Sequence, residues 1–253
     1  MWHESASSHA SCLIPHASLN ILRAVFPTIA PHAQRLLVFA RVPELGRVKT
    51  RLAVSIGADK ALAVYQAMLR ELLGGIGLST PETEVEVMWA PTENANGDVL
   101  RRAFGERSLS MQTGATLGDR LAMAFSERFF FLRTQKIIAI GVDDPRLRRD
   151  IIDHAFGLLD SVEWVVGPAA DGGYYLVGCR AAAFNTAIFT GVEWGTSSVL
   201  GTTMARIREW ESTVAVLPQR YDIDVLEDLQ RFMKEHADDE VSQVAAGLLA
   251  PRS

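Results

Sequence analysis

Residues 36–39, LLVF, form an uninterrupted apolar run, and this run constrains the fold more than any other feature of the chain. A strand with one wet face alternates polar and apolar residues. A strand without alternation is buried on both faces, which is the condition of a parallel sheet covered by helices. Beyond the run, Pro43 and Gly46 punctuate a turn, and Lys49 and Arg51 follow where the chain re-enters an apolar, helical phase. Two cations and unpaired backbone N–H groups can thus converge on an anion outside a strand's carboxyl end, where α/β sheets bind ligands. A phosphate cradle and a solvated basic turn share these ingredients, and the segment alone admits both.

The rest of the chain repeats the alternation. Asp59 reads as the N-cap of a helix in which Leu62, Tyr65, Leu69 and Leu72 recur at helical spacing until Gly74 and Gly75. Residues 84–89 alternate as a strand does, 91–97 read as a polar loop, and Leu117, Leu121 and Phe125 mark a second helix. Residues 136–142 form another apolar strand, ending at Asp143, Asp144 and Pro145 before a helix with Ile151, Ile152 and Leu159. Strands at 162–166 and 174–178, a helix at about 197–210, a strand at 213–217 and an acidic run at 221–229 complete the series, with peripheral helices at the end. Strands interleaved with helices predict one α/β domain with a mostly parallel central sheet covered on both faces.

A chain of 253 residues with 48% hydrophobic content suffices for one such core. We divide it into an N-terminal extension (1–33), a central α/β domain (34–236) and a C-terminal helical tail (237–253). The net charge of −5 argues against a nucleic-acid backbone as partner, which would call for a basic face. Cys12 and Cys179 match neither a ligand set nor a disulfide framework, as expected of a cytoplasmic protein. No apolar run is long enough to cross a bilayer, and the apolar stretch in 1–33 is interrupted by Arg23 and lacks a preceding basic region, so neither a membrane span nor a signal peptide is expected.

Three acidic segments carry candidate chemistry. Asp143 and Asp144 end an apolar strand. Asp144 precedes Pro145, an arrangement suited to a helix N-cap and first turn, so we assign it a structural part and leave Asp143 for Mg²⁺ or Mn²⁺, hard cations that often keep only one or two protein carboxylates. Asp222 and Asp224 fall on one side of an alternating segment, but Asp224 also stands three residues before Glu227 as in a capping box, and Asp222 is compatible with an ordinary exposed carboxylate. Asp171, Gly172 and Gly173 lie between two apolar strands, where the glycines serve either a tight turn or close approach to a ligand. Tyr174, Tyr175 and Trp194 fit an acceptor wall, although aromatic residues in a strand usually pack a core. The chain contains no G-x-S-x-G elbow, H-E-x-x-H helix, Walker loop or G-x-G-x-x-G fingerprint.

Taken together, FARVPELGRVKTRL, GVDDP, GPAADGGYYLVG, VEWGTSS and DIDVLEDL resemble the bacterial family of selenium-domain-associated transferases. That family is similar to the glycosyltransferase-A and nucleotidyltransferase superfamily, which includes the guanylyltransferases for phospholactate and for the molybdenum cofactor. The resemblance implies a single-domain, glycosyltransferase-A-like three-layer sandwich. It also implies a metal-dependent transferase that takes a nucleotide sugar or nucleoside triphosphate and passes a glycosyl or nucleotidyl group to a small-molecule acceptor. A nucleotide-binding regulatory protein of the same fold without turnover is the alternative.

The residue roles follow from the same resemblance. Arg41, Gly46, Lys49 and Arg51 correspond to the positions that hold the nucleotide phosphates, and Gly118 belongs to a nucleobase-side segment at 112–120. Asp143 and Asp224 correspond to the shared metal ligands, Mg²⁺ or Mn²⁺, and Asp171 to a loop facing the acceptor or sugar. Lys49, Arg51 and Asp171 are the catalytic candidates. The chain departs from the pattern at Arg41 (more usually lysine), Thr116 (frequently acidic), Asp144 (commonly cysteine or serine) and at Val225 and Leu226, which replace a threonine and a proline.

Overall fold

The computed structural model describes residues 33–92, 100 and 108–250. The expected extension (1–33) therefore lies almost wholly outside the described residues, as does most of the expected loop at 91–97. The described residues form a seven-stranded sheet with strands β1 (Gln34–Ala40), β2 (Thr83–Trp89), β3 (Ser108–Met111), β4 (Lys136–Ile140), β5 (Trp164–Pro168), β6 (Tyr174–Arg180) and β7 (Val214–Val216). Their spatial order is β3-β2-β1-β4-β6-β5-β7. All neighbours pair in parallel except β6, which runs antiparallel to both β4 and β5. The described residues thus form an α/β three-layer sandwich with a mostly parallel sheet.

The unbroken apolar run does what its composition requires. In β1, Leu36 and Val38 point to one face and Leu37 to the other, and all three are fully buried. Helices α1 (Thr50–Ile56) and α2 (Ala58–Ile76) follow β1, α3 (Leu117–Phe130) follows β3, and α4 (Arg149–Leu158) follows β4. Leu69, Leu72 and Ile76 of α2 pack with Ile152 and Phe156 of α4 on the Leu36 face. Leu121, Phe125 and Phe129 of α3 pack on the opposite face, with Ile207 of α5 (Val199–Glu209). Two short 3₁₀ turns, Ala181–Ala183 and Thr186–Ile188, bring Ile188 and Phe189 into the same cluster.

Helix α2 is apolar on its outer side as well. Val64 and Met68 there meet Leu229 and Phe232 of α6 (Leu226–Glu235) and Val241 and Ala245 of α7 (Glu240–Leu249). The last helices, expected to be peripheral, therefore share a buried cluster with α2. This double burial also corrects two sequence expectations. Helix α2 does not stop at Gly74 and Gly75 but runs on to Ile76, and Gly75 lies where a Cβ would press on the Arg148 side chain and stand 3.1 Å from Leu147 O. Its N-cap is Gly57, with Asp59 supplying first-turn negative charge instead of the cap.

Buried ion pairs fasten the sheet. Glu86 of β2 accepts from Arg128 of α3 at 2.5 Å, with Arg35 of β1 3.7 Å away. Burial raises the Glu86 pKa, but Arg128, with Ser110 and Arg35, more than offsets this and holds the carboxyl below its usual range. Cys179 is buried in β6, where desolvation pushes its thiol up and makes it a packing residue. Among the described residues, no helix is long and apolar enough to cross a membrane.

Candidate active site

Strands β1, β4, β5 and β7 run parallel, or reach one another through β6, so their carboxyl ends share one edge of the sheet. Four loops meet along that edge. The β1–α1 loop carries Arg41, Gly46, Lys49 and Arg51, the segment after β4 carries Asp143, the β5–β6 turn carries Asp171, and the segment between β7 and α6 carries Asp222 and Asp224.

Backbone hydrogen bonds set their relative positions. Leu217 N–H donates to Val166 O at 2.9 Å and Arg220 N–H to Pro168 O at 3.0 Å, so the late segment extends the line of β7 past the end of β5. Ala170 N–H returns a bond to Arg220 O at 2.9 Å, and Ile223 N–H donates to Asp143 O at 3.0 Å. Ile223 is fully buried against the outer cluster of α2. Strand-like alternation then turns Asp222 and Asp224 away from that cluster and toward the loops.

Lys49 joins the two distant acids. Its ammonium donates to Asp143 Oδ1 at 2.5 Å and to Asp224 Oδ1 at 2.9 Å, and the side chain is only 4% exposed. Two oxygens on one nitrogen at these distances lie within 5.4 Å of each other. Burial lowers the ammonium's pKa, but Asp143 and Asp224 raise it further than burial lowers it, so the group stays charged. Lys49 also has left-handed backbone, φ 44° and ψ 46°, uncommon for a residue with a side chain and costing on the order of 1 kcal/mol. Arg51, on the first turn of α1, is 71% exposed and reaches Asp224 Oδ2 at 3.6 Å.

Asp222 is the residue that sequence reasoning undervalued. It is half-buried rather than an ordinary exposed carboxylate, and burial together with the charges of Asp143, Asp171 and Asp224 pushes its pKa up to about 7, against the opposing pull of Lys49. The pattern that could have revealed it was the D-I-D alternation itself, which puts Asp222 on the same side as Asp224. Asp171 is thus electrostatically part of the same cluster. Its Oδ1 accepts from Gly173 N–H at 2.8 Å, and Gly172, at φ 91°, approaches Ser197 so closely that a Cβ would lie 2.4 Å from its carbonyl oxygen.

Two capping expectations change. Asp144 does not cap α4, whose N-cap is Arg148. Instead Asp144 Oδ1 accepts from Arg146 N–H in the intervening turn, and its carboxylate pairs with the Arg220 guanidinium. Asp144 is 5% exposed, so it serves structure by a different device: an ion pair that ties the β4 loop to the late segment. Asp224 does not cap α6 through Glu227 either. Asp228 Oδ2 accepts from the N–H groups of both Asp224 and Val225 at 3.0 Å, which leaves the Asp224 carboxylate available to Lys49. The threonine and proline absent from this motif are therefore not needed to bring Asp224 into place.

The remaining candidates are Arg41, Gly46, Gly118 and the two tyrosines. Arg41 lines a cleft of about 340 Å³ with Val42, Glu44, Arg47, Ala90, Pro91 and Thr92 at the ends of β1 and β2. Its backbone is clamped by the Tyr65 hydroxyl, which accepts from Arg41 N–H and donates to Arg41 O, each at 2.9 Å. Gly46 takes φ 73° in the turn that follows. Gly118 sits in the first turn of α3, where a Cβ would lie 2.3 Å from Phe189 O and 2.6 Å from Trp194 Nε1, so close packing accounts for that glycine. Tyr174 meets Trp194 edge-on at 6.1 Å within the Leu37-side cluster, while Tyr175 is turned to the other face with its hydroxyl on Pro218 O. The two tyrosines do not make one wall.

Residues 78–196 match a family described as uncharacterized proteins conserved in bacteria (DUF2064). No curated protein matches the sequence. Among solved structures, the chain is similar to a provisionally named nucleotide-diphospho-sugar transferase from Desulfovibrio desulfuricans G20, at 27% identity and a TM-score of 0.79 over 85% of this chain and 94% of that one. A cytidylyltransferase from Leptospira borgpetersenii serovar Hardjo-bovis matches at 16% identity and a TM-score of 0.50, covering 87% of this chain and 98% of that one. The inositol-1-phosphate CTP transferase of T. maritima matches at 12% identity and a TM-score of 0.50, covering 88% and 98%. The two cytidylyl-transferring proteins share the fold with this chain.

Proposed function

We propose that the chain is a divalent-metal-dependent transferase that binds a nucleotide donor, a nucleotide sugar or nucleoside triphosphate, and passes a glycosyl or nucleotidyl group to a small-molecule acceptor. The observation that carries this reading is the convergence of Asp143 and Asp224, from separate loops, on one cation at the carboxyl edge of the sheet. Paired oxygen donors so close together fit Mg²⁺ or Mn²⁺, which accept one or two protein carboxylates and take their other ligands from phosphate and water. Similarity to the D. desulfuricans protein supports the nucleotide-diphospho class of donor.

Asp143 and Asp224 would hold the metal, whose contribution is to neutralise phosphate charge as the leaving group departs. Lys49 and Arg51 bind the phosphates from the β1–α1 loop and stabilise negative charge that grows on the leaving phosphate. Arg41 and Gly46 extend the donor site toward the cleft at the ends of β1 and β2. Gly118 stands at the nucleobase side, where its lack of a side chain lets α3 approach Phe189 and Trp194. Asp171 faces the acceptor from the β5–β6 turn. In nucleotidyl transfer an acceptor phosphate oxygen attacks the α-phosphorus, the bond from that phosphorus to the bridging oxygen breaks and pyrophosphate leaves; in glycosyl transfer an acceptor nucleophile attacks the anomeric carbon, loses its proton, and the bond from that carbon to the phosphate oxygen breaks to release the nucleotide. The donor cradle is the same for both.

A panel of nucleoside triphosphates and nucleotide sugars, screened by thermal shift with and without Mn²⁺, tests the reading. A true donor at 100 times its Kd adds about 2.7 kcal/mol of apparent stability. Absence of any Mn²⁺-dependent shift across the panel would remove the proposal.

A further inference from the structure

We propose that Lys49 is the resident counter-cation of the Asp143–Asp224 pair, so that a divalent metal must displace its ammonium, and the displaced ammonium is then taken up by the donor's phosphate. This inference rests on the metal and nucleotide reading above and adds an order to it: metal and donor bind interdependently.

The geometry is specific. The facing oxygens Asp143 Oδ1 and Asp224 Oδ1 both contact one ammonium, at 2.5 and 2.9 Å. A metal bridging those two oxygens would need direct bonds of about 2.0 to 2.6 Å and would occupy the place of that ammonium. Two cations cannot share it. Lys49 is also held there firmly: its side chain is 4% exposed and its ammonium contacts both carboxylates. Arg51, the other cation nearby, is 71% exposed and lies 3.6 Å from the second oxygen of Asp224, so it does not compete for the same point.

The consequence is a coupling between two ligands. Metal alone has to dislodge an ammonium and leave it buried without a partner, which weakens metal binding. Metal arriving with a nucleotide brings phosphate oxygens that satisfy the freed ammonium, so each ligand raises the affinity for the other by the same factor.

The experiment uses the full chain and Mn²⁺ alone, followed by the free-ion paramagnetic resonance signal, comparing wild type with Lys49→Met. Removing the competing charge should tighten Mn²⁺ binding by at least about tenfold, and adding Asp143→Asn to Lys49→Met should abolish that gain. With a donor from the thermal-shift panel, wild-type Mn²⁺ affinity should rise on donor binding, and Lys49→Met should show a much smaller rise. Should Lys49→Met fail to fold, Lys49→Gln carries the same comparison. Equal or weaker Mn²⁺ binding by the lysine variant overturns the assignment of Lys49. A gain in Mn²⁺ affinity with no nucleotide binding in any protein would instead defeat the nucleotide reading and, with it, the coupling, leaving the counter-cation standing.

Discussion

The N–H of Ile223 donates to the carbonyl of Asp143 across 3.0 Å, and this bond fixes how the late acidic segment meets the β4 loop. With Ile223 buried and its backbone tied to Asp143, the carboxylates of Asp222 and Asp224 have one side on which to emerge, the side that Lys49 occupies.

The first prediction concerns the shared ligands. Asp143→Asn and Asp224→Asn should each weaken Mn²⁺-dependent nucleotide affinity by more than tenfold, about 1.4 kcal/mol, because each removes a charged oxygen donor from the same point. Either carboxylate alone can still pair with Lys49, so melting temperatures should move little. Calorimetric titration with and without Mn²⁺ checks this, and retention of full metal-dependent affinity by either variant would refute it.

Asp144 should behave oppositely. Asp144→Ala leaves the half-buried Arg220 guanidinium without its carboxylate and should cost about 1 to 3 kcal/mol of stability. Asp144→Ser cannot restore the charge and should cost nearly as much. Combining Asp144→Ala with Arg220→Met should recover part of the loss, since both charges are then gone. Urea denaturation of the three variants, beside nucleotide titration of the folded protein, separates this structural part from any part in binding.

Asp222 predicts a pH dependence. Its folded pKa of about 7 lies above the unfolded value of 3.8, so the folded protein keeps a proton that the unfolded chain releases as pH rises between these values. Stability should therefore decline from about pH 4 to pH 7 on account of this group and level off above. In metal-free buffer, Asp222→Asn should be more stable than wild type at pH 8, by on the order of 1 to 3 kcal/mol, and nearly equal at pH 4. A variant advantage that is independent of pH would show that the effect is not ionisation.

Arg51 and Asp171 approach the cluster from different loops and should divide by phenotype. Arg51 is exposed, and its charge is screened by water, so Arg51→Ala should reduce donor affinity by only about 0.5 to 1 kcal/mol. Asp171→Ala should leave donor affinity nearly intact while lowering the rate of transfer to an acceptor. Calorimetry on both, paired with a turnover assay for the donor identified by thermal shift, reads the two effects separately. A loss of donor affinity in Asp171→Ala matching that in Arg51→Ala would place Asp171 in the donor site.

The α/β layering was legible in the sequence because it depends on local composition: an unbroken run such as LLVF in β1 has to be covered on both faces wherever it lies in the chain. The positions of Lys49, Asp143 and Asp224 at loop ends were legible for the same reason. Their meeting was not. It depends on the antiparallel insertion of β6 between β4 and β5, on the backbone bond from Ile223 to Asp143, and on a left-handed Lys49, none of which has a local signature. The sequence likewise suggested that Asp144 and Asp224 were caps, since spacing to a following proline or glutamate is all a linear pattern can display. Only tertiary structure set Arg220 against Asp144 and gave the α6 cap to Asp228, because which partner a carboxylate takes is decided by what the fold places within about 3 Å of it.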